Sequence, residues 1–471
     1  MRNRTFRFPL FLTGLVLLAA AGAVLALTLL PGGLDSSAGE KSNVEVSVQV
    51  LWGTVQDASV NTILVAGEDG SLYEFDRGGA QVTAGEGGIR IGCPVAVTYE
   101  GTLNPAQTVQ GVKVLTLRVE EPPQEPAAGE EPEEGDDPSD RARTMLDGMS
   151  LEEKVGQMFI ARCPQEEGVR LAAQYHLGGY ILFARDFQGR DPEQVCQTIA
   201  QYQEASSVPM LIGVDEEGGT VVRVSKYPAF RAEPFPAPRA LWLAGGEEAV
   251  QADTEEKCRL LLSLGINVNF APVCDISQDP EDYIYKRTLG ENAETAARYI
   301  RTVVETMRRE GTASVLKHFP GYGGNADTHT GLAYDDRPLE EFRAADFLPF
   351  QAGIDAGAEM VLVSHNIVSA MDSRLPASLS PEVHRILREE LGFTGVIVTD
   401  DLYMDGVRHF TGDEEAAVLA VQAGNDLLCC TDFQTQVPAV LAAVERGEIT
   451  EERIDQSVLR ILELKMALGL L

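Results

Sequence analysis

The chain has 471 residues, 44% of them hydrophobic, and carries 72 acidic against 38 basic side chains, a net charge of −34. That length can bury more than one core, and the acidic excess argues against a nucleic-acid partner, because phosphate binding needs basic patches. The seven cysteines are scattered, odd in number and without CxxC or histidine-rich zinc spacing. They read as free, mostly buried thiols rather than as a disulfide framework or a metal site.

Arg2, Arg4 and Arg7 precede an uncharged apolar run from Phe8 to Leu30. About 20 such residues suffice to cross a bilayer as a helix. Residues 1–30 are therefore expected to be a membrane anchor, with a cleaved secretory signal as the alternative, since small residues recur at Ala19 to Ala23. Either way the arginines keep the N-terminus in the cytoplasm and the bulk of the chain goes outside, tethered to the membrane or secreted.

Residues 43–119 read as a small β-rich domain. Val44–Val50 alternates strictly, Asn61–Val65 and Val95–Tyr99 are β-branched runs, and a turn such as Glu68-Asp69-Gly70 separates them. The stretch holds no histidine cluster, so a spacer or interaction module is expected. Residues 120–140 follow as a linker: ten acidic residues, several prolines and no base keep such a segment extended.

Residues 141–471 have a different rhythm. Eight short apolar runs, each followed by a helical pattern, begin at Gln157, Gly179, Met210, Asn267, Ser314, Met360, Gly395 and Asp426. Continuous apolar strands alternating with helices predict an α/β fold with a parallel sheet, and eight of them predict a (β/α)8 barrel with its chemistry at the strands' C-terminal ends. Those ends are polar. The third run leads into Asp215-Glu216-Glu217-Gly218-Gly219, the fourth toward Asp275, the fifth into Lys317-His318, the sixth into Ser364-His365-Asn366 and the seventh into Thr399-Asp400-Asp401.

The densest stretch is Lys317-His318-Phe319-Pro320-Gly321-Tyr322-Gly323, followed by Asp327-Thr328-His329, which holds two of the chain's six histidines. Glycines let such a loop aim several polar side chains at one volume. Together with Ile212–Gly219 through Arg223, Arg287-Thr288-Leu289-Gly290 and Gly395–Met404, this segment resembles glycoside hydrolase family 3. The closest branch is that of the β-N-acetylglucosaminidases acting on cell-wall muropeptides.

The resemblance implies a retaining mechanism with Asp400 as nucleophile and His329, paired with Asp327, as acid/base. It implies sugar binding by Asp215, Arg223, Arg287, Lys317 and His318, the cations among them serving with His318 as donors. No metal or organic cofactor is implied. His365 matches a less specific position, and His176, His384 and His409 match none and are expected at the surface. Tyr322 stands where the family motif usually has a second histidine, the gap from Gly323 to Asp327 is short, and Thr328 replaces a serine. No second domain is expected beyond the last helix, which suits the His–Asp arrangement.

The expected activity is exo-acting β-N-acetylhexosaminidase, releasing N-acetylglucosamine from peptidoglycan-derived or related glycans, by a monomer. The alternatives are a β-glucosidase or β-xylosidase of the same family, and a catalytically inactive wall-glycan-binding protein.

Overall fold

Apolar runs that alternate with helical patterns become strands wherever both faces are to be covered, and the second half of the chain follows that rule throughout. The computed structural model describes residues 48–58, 62–67, 71–76, 80–83, 94–104, 109–119, 138–324, 333–411 and 416–471. Two units emerge, Met1–Glu131 and Pro132–Leu471. The segment 1–30, expected as an anchor or signal, and residues 120–137 of the expected linker lie outside the described residues. Among the described residues no helix is long and apolar enough to cross a membrane.

In the first unit, seven strands form one sheet in the order Gln81–Thr83, Lys113–Val119, Pro94–Glu100, Val48–Ala58, Thr62–Gly67, Leu72–Asp76 and Val109–Gln110. Thr62–Gly67 alternates between half-buried and buried positions. The inward side chains Val55, Ile63, Val65, Phe75, Val97 and Leu117 form this unit's core.

In the second unit the barrel strands are β1 (Phe159–Arg162), β2 (Gly179–Leu182), β3 (Leu211–Val214), β4 (Val268–Asn269), β5 (Ala313–Phe319), β6 (Met360–Val363), β7 (Val396–Thr399) and β8 (Leu428–Cys430). Each pairs in parallel with the next, and β8 pairs in parallel with β1. Between β7 and β8 the ladder thins to one parallel bridge, Val398 with Leu427, so the barrel is nearly closed. The strands are buried on both faces, which is why they read as unbroken apolar runs.

The helices start where local chemistry permits. Ser150 and Glu153 form a reciprocal capping box, with Glu153 N donating to Ser150 Oγ at 3.3 Å and Ser150 N donating to Glu153 Oε2 at 2.9 Å. Thr450 caps the last helix, Glu451–Ala467. The first helix of this unit begins at Pro138, inside the stretch expected to be linker, and Ser139 Oγ donates to Glu463 Oε1 on the last helix at 3.0 Å.

The weak β7–β8 seam has a polar fastening beneath it. Asp426 is fully buried; its Oδ1 accepts from Ser457 Oγ at 2.7 Å and Arg460 Nη1 at 3.0 Å, and its Oδ2 from Ile397 N at 3.0 Å and from Arg388. Removing the one carboxylate among these guanidinium groups leaves buried charge unbalanced. Asp426→Ala is expected to lower the free energy of unfolding by about 3–5 kcal/mol, read from urea denaturation. A loss of only a few tenths would mean that solvent already screens these arginines.

Among the described residues Cys163, Cys258, Cys274, Cys429 and Cys430 are buried, Cys196 is half-buried, and all are free thiols; Cys93 lies outside those residues. Burial pushes the Cys163 thiol up to about 12, which leaves it protonated and unreactive.

His384 corrects the sequence reading. It was expected at the surface but is 3% exposed, with Nδ1 on Ser380 O at 2.8 Å, and burial lowers its pKa. Gly424 makes the room: a Cβ there would sit 3.1 Å from that of His384. His176 is half-buried, and the side chain of His409 is not described.

Candidate active site

Four strand ends deliver ionisable side chains to one cavity of about 600 Å³. Asp215 follows β3, Arg287 lies between β4 and β5, Lys317 and His318 are within β5, and Asp400 follows β7; all of them, with Arg223, line the cavity. These are the described members of the expected site. Asp327 and His329, the expected acid/base pair, lie outside the described residues.

The loop after β3 owes its path to a buried carboxylate. Glu216 accepts from Arg223 N and Val224 N at 2.8 Å each and from Ser225 N at 3.2 Å, with Ser225 Oγ bonded to the same carboxylate. Gly218 has φ +103°, and a Cβ there would lie 2.3 Å from Pro236 O, so only glycine allows the turn. The loop thereby returns Arg223 toward Asp215, whose Oδ2 it meets at 3.3 Å.

Two further carboxylates organise the cations. Lys317 Nζ lies 2.7 Å from both Asp215 Oδ1 and Glu217 Oε1. A lysine ammonium has three donors, so one remains for a hydroxyl. Arg287 grips Glu217 with Nε and Nη2 at 3.0 and 2.7 Å. Burial raises the pKa of Glu217, but the adjacent Lys317 and Arg287 charges outweigh it and hold the carboxyl well below the usual range. Burial disfavours the charge on Arg287, and Glu217 overcompensates, so its pKa is raised.

His318 differs from the donor role expected of it. Its Nδ1 lies 2.6 Å from Asp275 Oδ2 and its Nε2 lies 3.1 Å from Arg287 Nη2. A guanidinium only donates, so Nε2 accepts and the ring proton sits on Nδ1, facing Asp275. The imidazole thus presents no N–H to the cavity and acts by orienting Arg287. Asp275 also accepts from His318 N at 3.2 Å and Tyr322 N at 2.7 Å, joining β5 to the turn beyond it.

Asp400 and Asp401 part company at the end of β7. The Asp400 amide donates to Val363 O on β6 at 3.1 Å, and the Leu402 amide to Cys429 O on β8 at 3.0 Å, so the segment is held from both sides. Asp401 Oδ1 accepts from Thr431 N and Tyr403 N at 3.0 Å each, and Thr431 Oγ1 bonds its other oxygen. His365 is fully buried, accepts from Ser378 Oγ at 2.7 Å and donates from Nε2 to Asp401 O at 3.1 Å. It braces the Asp400–Asp401 turn from below. Both carboxylates line the cavity, but Asp401 has its two oxygens engaged by this turn, whereas Asp400 Oδ1 accepts from the Asp401 amide at 2.8 Å.

Glu217 and Asp275 stand at strand ends in the sequence, but no motif marks them as the partners of these residues. Asp215 meets both Lys317 and Arg223, and Arg287 stands next to Lys317 on Glu217, so neutralising these cations takes more than one carboxylate. Arg162, Phe183, Tyr283 and Lys286 also line the cavity without any motif to announce them; the Arg162 guanidinium lies 4.6 Å from the Phe183 ring centre. Among the described residues no group of three His, Cys, Asp or Glu side chains is placed to hold a metal ion.

This arrangement offers several donors and acceptors to hydroxyl groups at the strand ends of a barrel. Residues 150–464 match the glycosyl hydrolase family 3 N-terminal domain. A β-hexosaminidase of Methylococcus capsulatus is 36% identical over 274 residues, which are 57% of this chain and 79% of that protein. A glycoside hydrolase family 3 β-N-acetylglucosaminidase from Paenibacillus sp. is similar with a TM-score of 0.64 and 35% identity, covering 68% of this chain and 63%, under two thirds, of that one. A β-N-acetylhexosaminidase from Beutenbergia cavernae has a TM-score of 0.60 and 30% identity, covering 68% of this chain and 99% of that one. With similar barrels among solved structures and a family match across most of the second unit, the chain belongs to glycoside hydrolase family 3.

Proposed function

We propose that this glycoside hydrolase is a retaining, exo-acting β-N-acetylhexosaminidase that releases N-acetylglucosamine from peptidoglycan-derived or related glycans. The observation that carries the reading is that Asp400 lines one cavity together with Asp215, Lys317, Arg223 and Arg287, the residues expected to hold the sugar. The names of the relatives, β-hexosaminidase and β-N-acetylglucosaminidase, support the choice of sugar.

In the first step Asp400 forms a bond to the anomeric carbon as the glycosidic C–O bond breaks, and His329 gives its proton to the departing oxygen. Asp327 orients that imidazole and stabilises its charged form. In the second step water attacks the same carbon, His329 takes its proton, and the Asp400 carboxylate is released. Two inversions leave the β configuration intact. The protein's part is to hold the sugar with Asp215, Lys317 and Arg223, while Arg287 is kept in place by Glu217 and His318.

The same reading places the enzyme at the outer face of the cell membrane, through residues 1–30, or outside the cell if that segment is cleaved. Residues 43–119 and the acidic stretch 120–140 then space the barrel domain, 141–471, from the bilayer, and the enzyme acts as a monomer. The test of the activity is turnover of the p-nitrophenyl β-glycosides of N-acetylglucosamine, glucose and xylose by the purified chain, beside His329→Ala. The acetamido sugar is expected to be preferred, and His329→Ala to flatten the acid–base dependence of the rate. Preference for glucose or xylose would keep the mechanism and overturn the substrate. No turnover of any of them by folded protein would leave a glycan-binding protein.

A further inference from the structure

The cavity is lined by a tyrosine, backed by a second one, and the reaction itself requires neither. Tyr283, between β4 and the helix Ala293–Glu310, lines the cavity yet is 42% exposed. Its ring packs against that of Tyr322, with centres 5.8 Å apart and planes 37° apart. Tyr322 is only 3% exposed; its amide is held by Asp275, and its ring meets the edge of His318 at 5.7 Å. The exposed ring therefore has a rigid backing tied to the sugar-binding residues.

The direction this pair faces follows from the proposed exo action, on which the inference rests. The sugar to be released fills the inner cavity against Asp400, Asp215 and Lys317, so the rest of the substrate must leave toward solvent, to which Tyr283 is exposed. Tyr322 also precedes Asp327 by five residues, on the segment proposed to protonate the leaving oxygen. A pyranose ring has an apolar face of C–H groups with slight positive charge, which suits the negative face of a tyrosine ring. An alkyl or peptide leaving group has no such flat face.

We infer that Tyr283, backed by Tyr322, is a platform for the leaving group and selects substrates in which that group is itself a pyranose, that is, β-linked oligosaccharides. The test compares kcat/KM on N,N′-diacetylchitobiose and on methyl β-N-acetylglucosaminide in the unmodified chain, Tyr283→Ala and Tyr283→Phe. The disaccharide-to-methyl ratio is expected to fall about tenfold in Tyr283→Ala and to stay within about twofold in Tyr283→Phe, which keeps the ring. An unmoved ratio in Tyr283→Ala, with the methyl glycoside still cleaved, overturns the platform and leaves the hexosaminidase standing. A fall in Tyr283→Phe as large as in Tyr283→Ala assigns the effect to the hydroxyl and overturns stacking. If the unmodified chain cleaves neither glycoside, the activity fails and the platform with it.

Discussion

Asp400→Asn is expected to cut the turnover of p-nitrophenyl β-N-acetylglucosaminide by roughly 10⁴-fold or more, because an amide cannot form the glycosyl ester on which a double displacement depends. The change is nearly isosteric. The Asp401 amide, which now donates to Asp400 Oδ1 at 2.8 Å, keeps an oxygen acceptor in the asparagine, so the turn should survive. Asp401→Asn gives the contrast. It weakens the contacts to Thr431 and Tyr403 that shape the turn and should cost on the order of tenfold, through misplacement of Asp400 rather than loss of a nucleophile. Initial rates of the two variants, with the anomeric configuration of the first product followed by NMR, decide the assignment. A larger loss in Asp401→Asn, or a product that first appears as the α anomer, would remove Asp400 from the role.

The second large effect is expected at a residue that need not touch the sugar. Glu217 is 4% exposed and neutralises both Lys317 and Arg287. Glu217→Gln leaves these cations sharing Asp215, and removing one partner of a buried ion pair costs about 3–5 kcal/mol of stability. Binding should weaken together with stability, since the same two cations face the cavity.

The pH dependence has a definite sign. Because the folded carboxyl is held below the ordinary glutamate value of 4.5, its contribution is complete above that value and is lost as pH falls toward the folded pKa. The stability gap between the unmodified chain and Glu217→Gln, measured by urea unfolding, should therefore be widest near neutrality and narrow below about pH 4.5. A gap that stays constant across this range would show that the pairing of Glu217 with Lys317 and Arg287 is not what stabilises the site.

Much of this site is legible in the sequence alone. Each of the eight apolar runs overlaps a barrel strand, because a strand covered on both faces must be apolar along its length, and that is a local property. The limits were less legible. The run expected at Asn267–Phe270 pairs only through Val268–Asn269, since Pro272 soon after has no N–H to continue a ladder, while β5 runs on to Phe319. The ionisable strand ends were legible for the same reason as the strands: loops that follow parallel strands collect on one face of the barrel. Hence Asp215, Arg223, Arg287, Lys317, His318 and Asp400 meet at one cavity.

The partners of those residues were a different matter. A histidine reads as a donor in isolation, but His318 has its proton turned to Asp275 and accepts from Arg287. His384 matches no motif and reads as a surface residue, yet it packs into the space left by Gly424. The amino-acid sequence by itself determined the family, the strand periodicity and which strand ends carry charge, all of which depend on residue type and short spacing. Only the tertiary structure decided that Glu217 pairs with Arg287, 70 residues away, and Asp275 with His318, 43 residues away. Such pairings arise from the closure of eight strands around a common axis and from the cost of burying a charge alone, and no short-range pattern encodes either.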